Sequence, residues 1–409
     1  MEDPPSPLPA LRPGRAPEGG SGTPSSAPLA RSGRGRRPPL RVWIWTAATA
    51  LLALLATVLW RGSDAAATRS TTAPAADVPP GTPAAAVSVA WSADGDRLPG
   101  DVVEDGRVLV GSARGVRALD PVSGEQAWQY TRGNAWLCGL TVTDGVAVAV
   151  FRTADRCDEA VALDAGTGVR TWTRNVNFRA DATLTSTDRI VLAQSSGGVV
   201  TLDPTGNSIR WRYAAPSGCE LLDSAVGEAG VAVLQQCAGG SAAQLRLMDG
   251  FDGEEHWTAD VVLPAREGAR LLGAGRLVGV LAGNEVRLFS SADGAPLTSL
   301  PAEPGRAVRQ TVVAGTELLH AGGMLLALDP TTGQQLWAAP ATGLPGEPAD
   351  GGEPVPLAVP DGDAVVLRDA ATGKERGRIA ADGLPDGGAA TVVGRVLVLR
   401  LAGSVLGYR

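Results

Sequence analysis

The sequence predicts an all-β fold: an eight-bladed β-propeller of four-stranded blades whose first and last strands share one sheet, preceded by a single transmembrane helix. Three observations predict it. A unit of Asp, tight turn, Gly and Trp recurs along the chain; its period is about that of a propeller blade; and one uncharged apolar run, Val42 to Trp60, precedes the repeats.

The unit is clearest where an alternating apolar run ends at Asp120, Gly124 follows, and Trp128 lies beyond. Asp164, Thr167, Gly168 and Trp172 repeat its offsets, as do Asp329, Thr332, Gly333 and Trp337. Asp249, Asp252, Gly253 and Trp257 keep the frame with Asp in place of the hydroxyl residue. Asp203 and Trp211 keep the outer frame, but Thr205-Gly206 sit one place early. Asp369, Thr372 and Gly373 have Gly377 at the Trp position, and Ser290, Asp293 and Gly294 have Thr298 there. The physics is local: the Asp carboxylate accepts backbone N–H bonds in the turn, Gly tolerates positive φ, and a large ring on the following strand fills space between packed sheets.

The Trp or equivalent positions are 91, 128, 172, 211, 257, 298, 337 and 377, with gaps of 37 to 46 residues. A four-stranded blade needs about 40–45. Each unit reads as two strands joined by a turn, a third strand ending at the Asp, then the Trp strand. Asp105-Gly106, Asp144-Gly145, Asp188-Arg189 and Asp361-Gly362 supply the first turns. The ends close the ring: Ala86 to Trp91 reads as a Trp strand with nothing before it, and Thr391 to Tyr408 as three strands with no Trp strand after. Seven internal units and this composite make eight blades, and closure removes open sheet edges.

Over roughly residues 87–409 the pattern resembles the PQQ-type, or tryptophan-docking, propeller repeat, a family that includes quinoprotein alcohol dehydrogenases and BamB-type outer-membrane assembly lipoproteins. The resemblance implies the fold and a docking role for Trp91, Trp128, Trp172, Trp211, Trp257 and Trp337. The dehydrogenases of the family are longer and carry an adjacent Cys-Cys pair over the cofactor and Glu/Asn/Asp residues around calcium. This chain has no adjacent cysteines, and no catalytic residue carries over. No cofactor, metal or catalytic residue is expected.

Residues 1–41, rich in Pro, Gly, Ser and Arg, read as a disordered basic cytoplasmic tail. Residues 42–60 are long enough to cross a hydrocarbon core, with Trp43, Trp45 and Trp60 at the ends as interface anchors. The preceding arginines place the N-terminus inside and the propeller outside. The rival is a cleaved signal peptide ending at Ala65-Ala66-Ala67, but a cleavable apolar core is shorter. Residues 61–86, Ala, Thr, Ser and Pro, read as a linker that lets residues 87–409, the propeller, swivel.

Residues 1–61 hold 8 Arg and 3 acidic residues, and the remainder 28 basic and 40 acidic, a net charge of −12. An acidic domain excludes nucleic acid as a natural partner. Lys374 is the one lysine, which with the Ala and Gly excess points to a GC-rich bacterial genome. Cys219 and Cys237 stand nine residues either side of Glu228, in facing positions of a hairpin. Cys138 and Cys157 flank the equivalent hairpin two blades earlier, with Cys157 in the loop beyond it. Two local disulfides, Cys138–Cys157 and Cys219–Cys237, are expected.

Trp136 belongs to neither anchor nor repeat and is expected to pack over the first disulfide; a partner contact is the alternative. The Pro/Gly/acidic stretch Pro340 to Pro356 is a binding loop or a spacer. His256 and His320, the two histidines, have no triad or ligand neighbours in sequence, and Asp94-Gly95-Asp96 and Asp361-Gly362-Asp363 read as turns rather than calcium loops. The expectation is a non-catalytic, single-pass, monomeric scaffold outside the cytoplasm that binds an envelope protein or small ligand. A ligand-sensing ectodomain is the alternative, and a PQQ-dependent dehydrogenase a further one.

Overall fold

The computed structural model describes residues 39–187, 189–238, 240, 242–263, 268–349 and 356–409. Residues 1–38 of the expected tail, Asp188 and residues 350–355 of the Pro340–Pro356 stretch lie outside the described residues.

Leu40–Arg61 is one α-helix of 22 residues, none of them buried, two residues longer at its start and one at its end than the predicted span. The Thr46, Thr49 and Thr57 hydroxyls each donate to a carbonyl one turn back, so these polar groups are satisfied within the helix. Among the described residues it is the helix long and apolar enough to cross a membrane.

Residues 59–409 form the second compact unit, built on eight β-sheets, six of four strands and two of five. From the first strand outward, blade 1 is Val103–Glu104, Arg107–Ser112, Gly115–Leu119 and Gln126–Arg132. Blades 2 to 6 repeat this plan, beginning at Trp136–Thr143, Thr183–Thr187, Cys219–Gly227, Ala269–Ala274 and Arg309–Val313. Blade 7 holds Leu357–Asp361, Ala364–Arg368 and Glu375–Ala381. Blade 8 holds Ala389–Val393, Val396–Arg400, Ser404–Tyr408 and, from the other end of the domain, Val89–Asp94, with Trp91 opposite Gly407.

The apolar core lies between blades rather than within them, because each sheet is apolar on both faces. Leu109 and Trp128 of blade 1 pack with Leu140, Ala149 and Val161 of blade 2. Leu277 and Leu288 of blade 5 pack with Leu319 and Leu328 of blade 6. Eight such clusters follow one another, and the one that closes the ring joins Trp91, Val396 and Val398 to Val108 and Val110. Eight sheets with eight shared interfaces form a closed propeller, as the repeats predict.

Four expectations need correction. The stretch Ala86 to Trp91 is not one strand: Ala86–Val87 pairs in parallel with Glu375–Ala381 of blade 7 before the chain enters blade 8. Nor is the segment 61–86 a free linker. Thr68–Thr71 is a fifth strand, antiparallel to Gln126–Arg132 on the outer edge of blade 1. Asp64 meets Arg132 at 3.0 Å, Ala73 N–H donates to Thr167 O, Arg107 donates to Pro74 O, and Ala380 N–H donates to Ala85 O. The segment is a strap from the edge of blade 1 to the edge of blade 7. An edge strand needs only free backbone groups, so its side chains carry no apolar alternation to betray it.

In blade 7, Leu344–Pro345, where the first strand belongs, instead pairs in parallel with Ala389–Val393 of blade 8. Asp361-Gly362 therefore joins the second and third strands of that blade, not the first and second. Finally, Cys157 does not sit in a loop. It opens the strand Cys157–Asp164 opposite Arg152, and a bulge at Cys138 turns that side chain to meet it. The disulfides are Cys138–Cys157 and Cys219–Cys237, and no cysteine is free. The second lies across a directly paired position of its hairpin.

Candidate functional site

The scaffold is set by six indole clasps. Each Trp reaches from the fourth strand of one blade to the turn of the next. Its ring N–H donates to a turn carbonyl: Trp91 to Pro121, Trp128 to Ala165, Trp172 to Pro204, Trp211 to Gly250, Trp257 to Ser291 and Trp337 to Ala370, at 2.8–3.1 Å. The ring lies flat on the turn glycine. A Cβ at Gly124, Gly168, Gly253, Gly294 or Gly373 would meet indole carbon at 2.5–2.8 Å. The Asp holds the turn: Asp120 accepts from Val122 and Ser123 N–H at 2.9 and 2.8 Å. The Thr332 and Thr331 amides hold the Asp329 carboxyl below its ordinary value, and the Arg376 guanidinium and Thr372 hold Asp369 at about 2.

Two joints lack the indole. Blade 8 has no turn between its third and fourth strands, because the fourth arrives from elsewhere in the chain; Gly377 of blade 7 therefore has nothing to dock on. Between blades 5 and 6, Thr298 covers Gly333 with a methyl group. That joint carries a buried carboxylate instead. Glu317, 2% exposed, accepts from the Arg276 and Leu277 amides of blade 5 at 3.0 and 3.3 Å, and from Gln310 Nε2 at 2.6 Å. Burial pushes its carboxyl up to about 7, against the opposing pull of Gln310 and the two amides.

The open site lies where blades 8, 1, 2 and 3 adjoin. Trp136 opens the first strand of blade 2 and is 47% exposed rather than packed away over the disulfide. The Arg114 guanidinium lies over its ring at 3.9 Å, and Arg114 itself donates to Gly133 and Ala135 carbonyls. Arg152 is paired directly opposite Trp136 on the neighbouring strand. Arg97 is brought in by the loop after Asp94: Gly111 N–H donates to Arg97 O at 2.9 Å. Only Gly fits at 111, since a Cβ there would stand 2.3 Å from that oxygen. Gly139 likewise admits Leu184 of blade 3, whose Cγ would lie 2.9 Å from an added Cβ.

Arg97, Trp136, Leu137 and Arg152 line both a cleft of about 340 Å³ and an adjoining one of about 420 Å³, while Arg114 stands behind the indole and lines neither. Among the described residues no ion pair engages Arg97, Arg114 or Arg152. Asp181 at the margin pairs with Arg179 at 3.4 Å and accepts the Ser196 amide; these donors hold its carboxyl at about 2. The three arginines carried no signal in the sequence, because they come from separate segments and the bridge at Gly111 that brings in Arg97 is not periodic.

His256 stands 3.7 Å from Asp249 in blade 4, and His320 bonds the Ala341 carbonyl in blade 6. Asp361-Gly362-Asp363 is a turn, whereas Asp94-Gly95-Asp96 is not: it continues out of the strand Val89–Asp94 into a bend, with the Gly95 and Asp96 amides donating to the Gly403 and Gly111 carbonyls. Among the described residues no three His, Cys, Asp or Glu side chains gather as metal ligands.

Fold and clasps together define a tryptophan-docked eight-bladed propeller. The chain belongs to the family described as outer membrane protein assembly factor BamB, whose model matches residues 56–229 and 217–349. A stretch of 147 residues is 31% identical to the serine/threonine-protein kinase AfsK of Streptomyces griseus, covering 31% of this chain and 17% of that kinase. BamB from Moraxella catarrhalis is similar in structure over 79% of this chain and 99% of its own, at 17% identity and a TM-score of 0.46. Quinohemoprotein alcohol dehydrogenase from Comamonas testosteroni matches 79% of this chain and 76% of its own, at 13% identity and a TM-score of 0.42.

Proposed function

We infer that the protein is a non-catalytic scaffold of the bacterial cell envelope, with the propeller outside the cytoplasm, tethered by Leu40–Arg61, and a protein partner bound on the face that carries Trp136. The observation that carries this reading is the groove: a half-exposed Trp flanked by arginines that, among the described residues, have no carboxylate partner. Trp and Arg are the side chains that dominate protein interfaces. Membership of the BamB family supports a binding role, and two disulfides suit an oxidising compartment. Site-specific photo-crosslinking from the propeller in intact cells tests the reading: protein adducts are expected. A phosphatase fusion after Arg409 tests the topology and is expected to be active, since that enzyme folds outside the cytoplasm.

The kinase relative favours one second reading, a ligand-sensing ectodomain. A sensor of this design would pass its signal to a kinase on the cytoplasmic side of Leu40–Arg61. Co-purification of a kinase with the full chain is the result that would favour it over the scaffold.

A further inference from the structure

We propose that the Trp136 groove captures an acidic, extended segment of a partner protein, with one apolar side chain flanked by carboxylates. The proposal rests on the scaffold reading and adds the chemistry of what is bound.

Charge comes first. The chain beyond residue 61 carries a net charge of −12, so a site lined by Arg97 and Arg152, which among the described residues have no ion-pair partner, with Arg114 stacked on its indole, runs against its surroundings. Guanidinium groups bind carboxylates bidentately, and in a partly enclosed cleft such pairs are worth more than on open surface. Of the two acidic residues that line the clefts, Asp181 is already engaged by Arg179 and the Ser196 amide, and Asp96 offsets only part of the positive charge.

Shape comes second. Within a lining that is polar in larger part, Leu98, Leu137 and Leu184 give the floor apolar atoms beside Trp136. A small inorganic anion would leave that floor and the indole in water. A peptide side chain covers both. The two clefts run into each other through shared residues, so an extended chain, at about 3.3 Å per residue, can place carboxylates at both ends and an apolar group between. The site is pre-organised, which limits the ordering cost of binding: Arg114 pins the indole, the disulfide ties the strand bearing Trp136 to the strand after Arg152, and Gly111 fixes the Arg97 loop.

The test uses the full chain in detergent or nanodiscs and fluorescence anisotropy. The probes are a fluorescein-labelled Asp/Glu-rich peptide with one central Leu-Phe pair and its Lys-for-Glu counterpart. The acidic peptide is expected to bind and the basic one not. Arg97→Glu and Arg152→Glu are each expected to weaken binding at least about tenfold, Trp136→Ala by about tenfold or more, and Trp136→Phe little. Raising salt from about 50 to 500 mM is expected to loosen the complex. Unchanged melting temperatures keep these variants interpretable; Arg97 is exposed and Arg152 half-buried.

Equal binding of the basic peptide, or undiminished binding by both arginine variants, overturns the proposal. So does full competition by inorganic phosphate that is indifferent to Trp136→Ala, which would mark a simple anion site. A photo-crosslinker placed at Trp136 or at Phe251, an exposed aromatic in the turn of blade 4, separates the two levels of inference. Adducts to acidic peptides at Trp136 support the proposal. Adducts only at Phe251 leave the scaffold standing and sink the groove, and adducts at neither sink both.

Discussion

At the scale of single residues, the glycine under five of the six indoles answers two demands at once. Gly124 has φ 71° and touches the Trp91 ring; Gly362 has φ 63° with nothing within 4 Å of an added Cβ. Gly124→Ala is therefore expected to cost about 2–4 kcal/mol, strain plus a displaced ring, and Gly362→Ala only about 1 kcal/mol of strain. Urea unfolding of the pair checks it, and equal losses would mean the ring contact contributes nothing. Trp128, fully buried and bonded to Ala165 O, gives the size of a whole clasp: Trp128→Ala is expected to cost about 3–5 kcal/mol. Thr298→Ala, at the same repeat position, should cost about 1 kcal/mol or less, because it removes a methyl and a hydroxyl from a contact without an indole. The same logic explains the unit whose Thr-Gly sits one place early. Its left-handed position falls on Asn207, φ 51°, and Asn is the residue other than Gly that best tolerates it. The turn was legible because turn chemistry is local. The exchange of Asn for Gly looked like a slipped motif because sequence shows residue types, not φ.

At the scale of elements, the joint between blades 5 and 6 predicts a pH dependence. Glu317 titrates at about 7 in the folded chain against an ordinary value of 4.5. Between these values the native state holds a proton that the unfolded chain has lost. The contribution of this group to stability is thus fully present below about 4.5, is lost as pH rises towards 7, and is level above it, by an amount on the order of 3 kcal/mol. Glu317→Gln is expected to flatten that slope in urea midpoints measured from pH 4.5 to 8; an unchanged slope would show that another group titrates. Which elements were legible follows from the same physics. Strands with apolar alternation and a motif turn were readable, and so was the Cys219–Cys237 pair, because a hairpin fixes its own register. Cys157 was placed in a loop because a bulge at Cys138 shifts register by one, and bulges leave little trace in sequence. Leu344–Pro345 escaped notice because two residues pairing with the next blade carry no period. Trp136 was noticed, but its exposure depends on Arg114 and Gly111, which lie on other strands.

At the scale of the molecule, a propeller must resist opening at the one sheet that joins its ends, and here the closure is doubled. The inner closure is Val89–Asp94 on Ser404–Tyr408, reinforced by Trp91 docking on blade 1. The outer one is the strap, which holds the edges of blades 1 and 7 and so spans both joints flanking blade 8. Its anchor is Arg132, 1% exposed, which bridges Asp64 at 3.0 Å and Glu159 of blade 2 at 2.6 Å. Removing the strap bares the outer edge of Gln126–Arg132 and leaves a buried guanidinium with one carboxylate fewer. A chain begun at Ser88 keeps the closing strand and is expected to fold, but with a melting temperature lower by roughly 5–10 °C, corresponding to about 2–4 kcal/mol. It is also expected to self-associate through the bared edge, visible as dimers in sedimentation. Asp64→Ala in the full chain should reproduce only a small part of the thermal loss and none of the association, since the strand pairing remains. A chain begun at Gly95, without the Trp91 strand, is expected to lose cooperative unfolding altogether. If the Ser88 chain instead melts like the full one and stays monomeric, the inner closure alone holds the ring, and the strap contributes nothing to it.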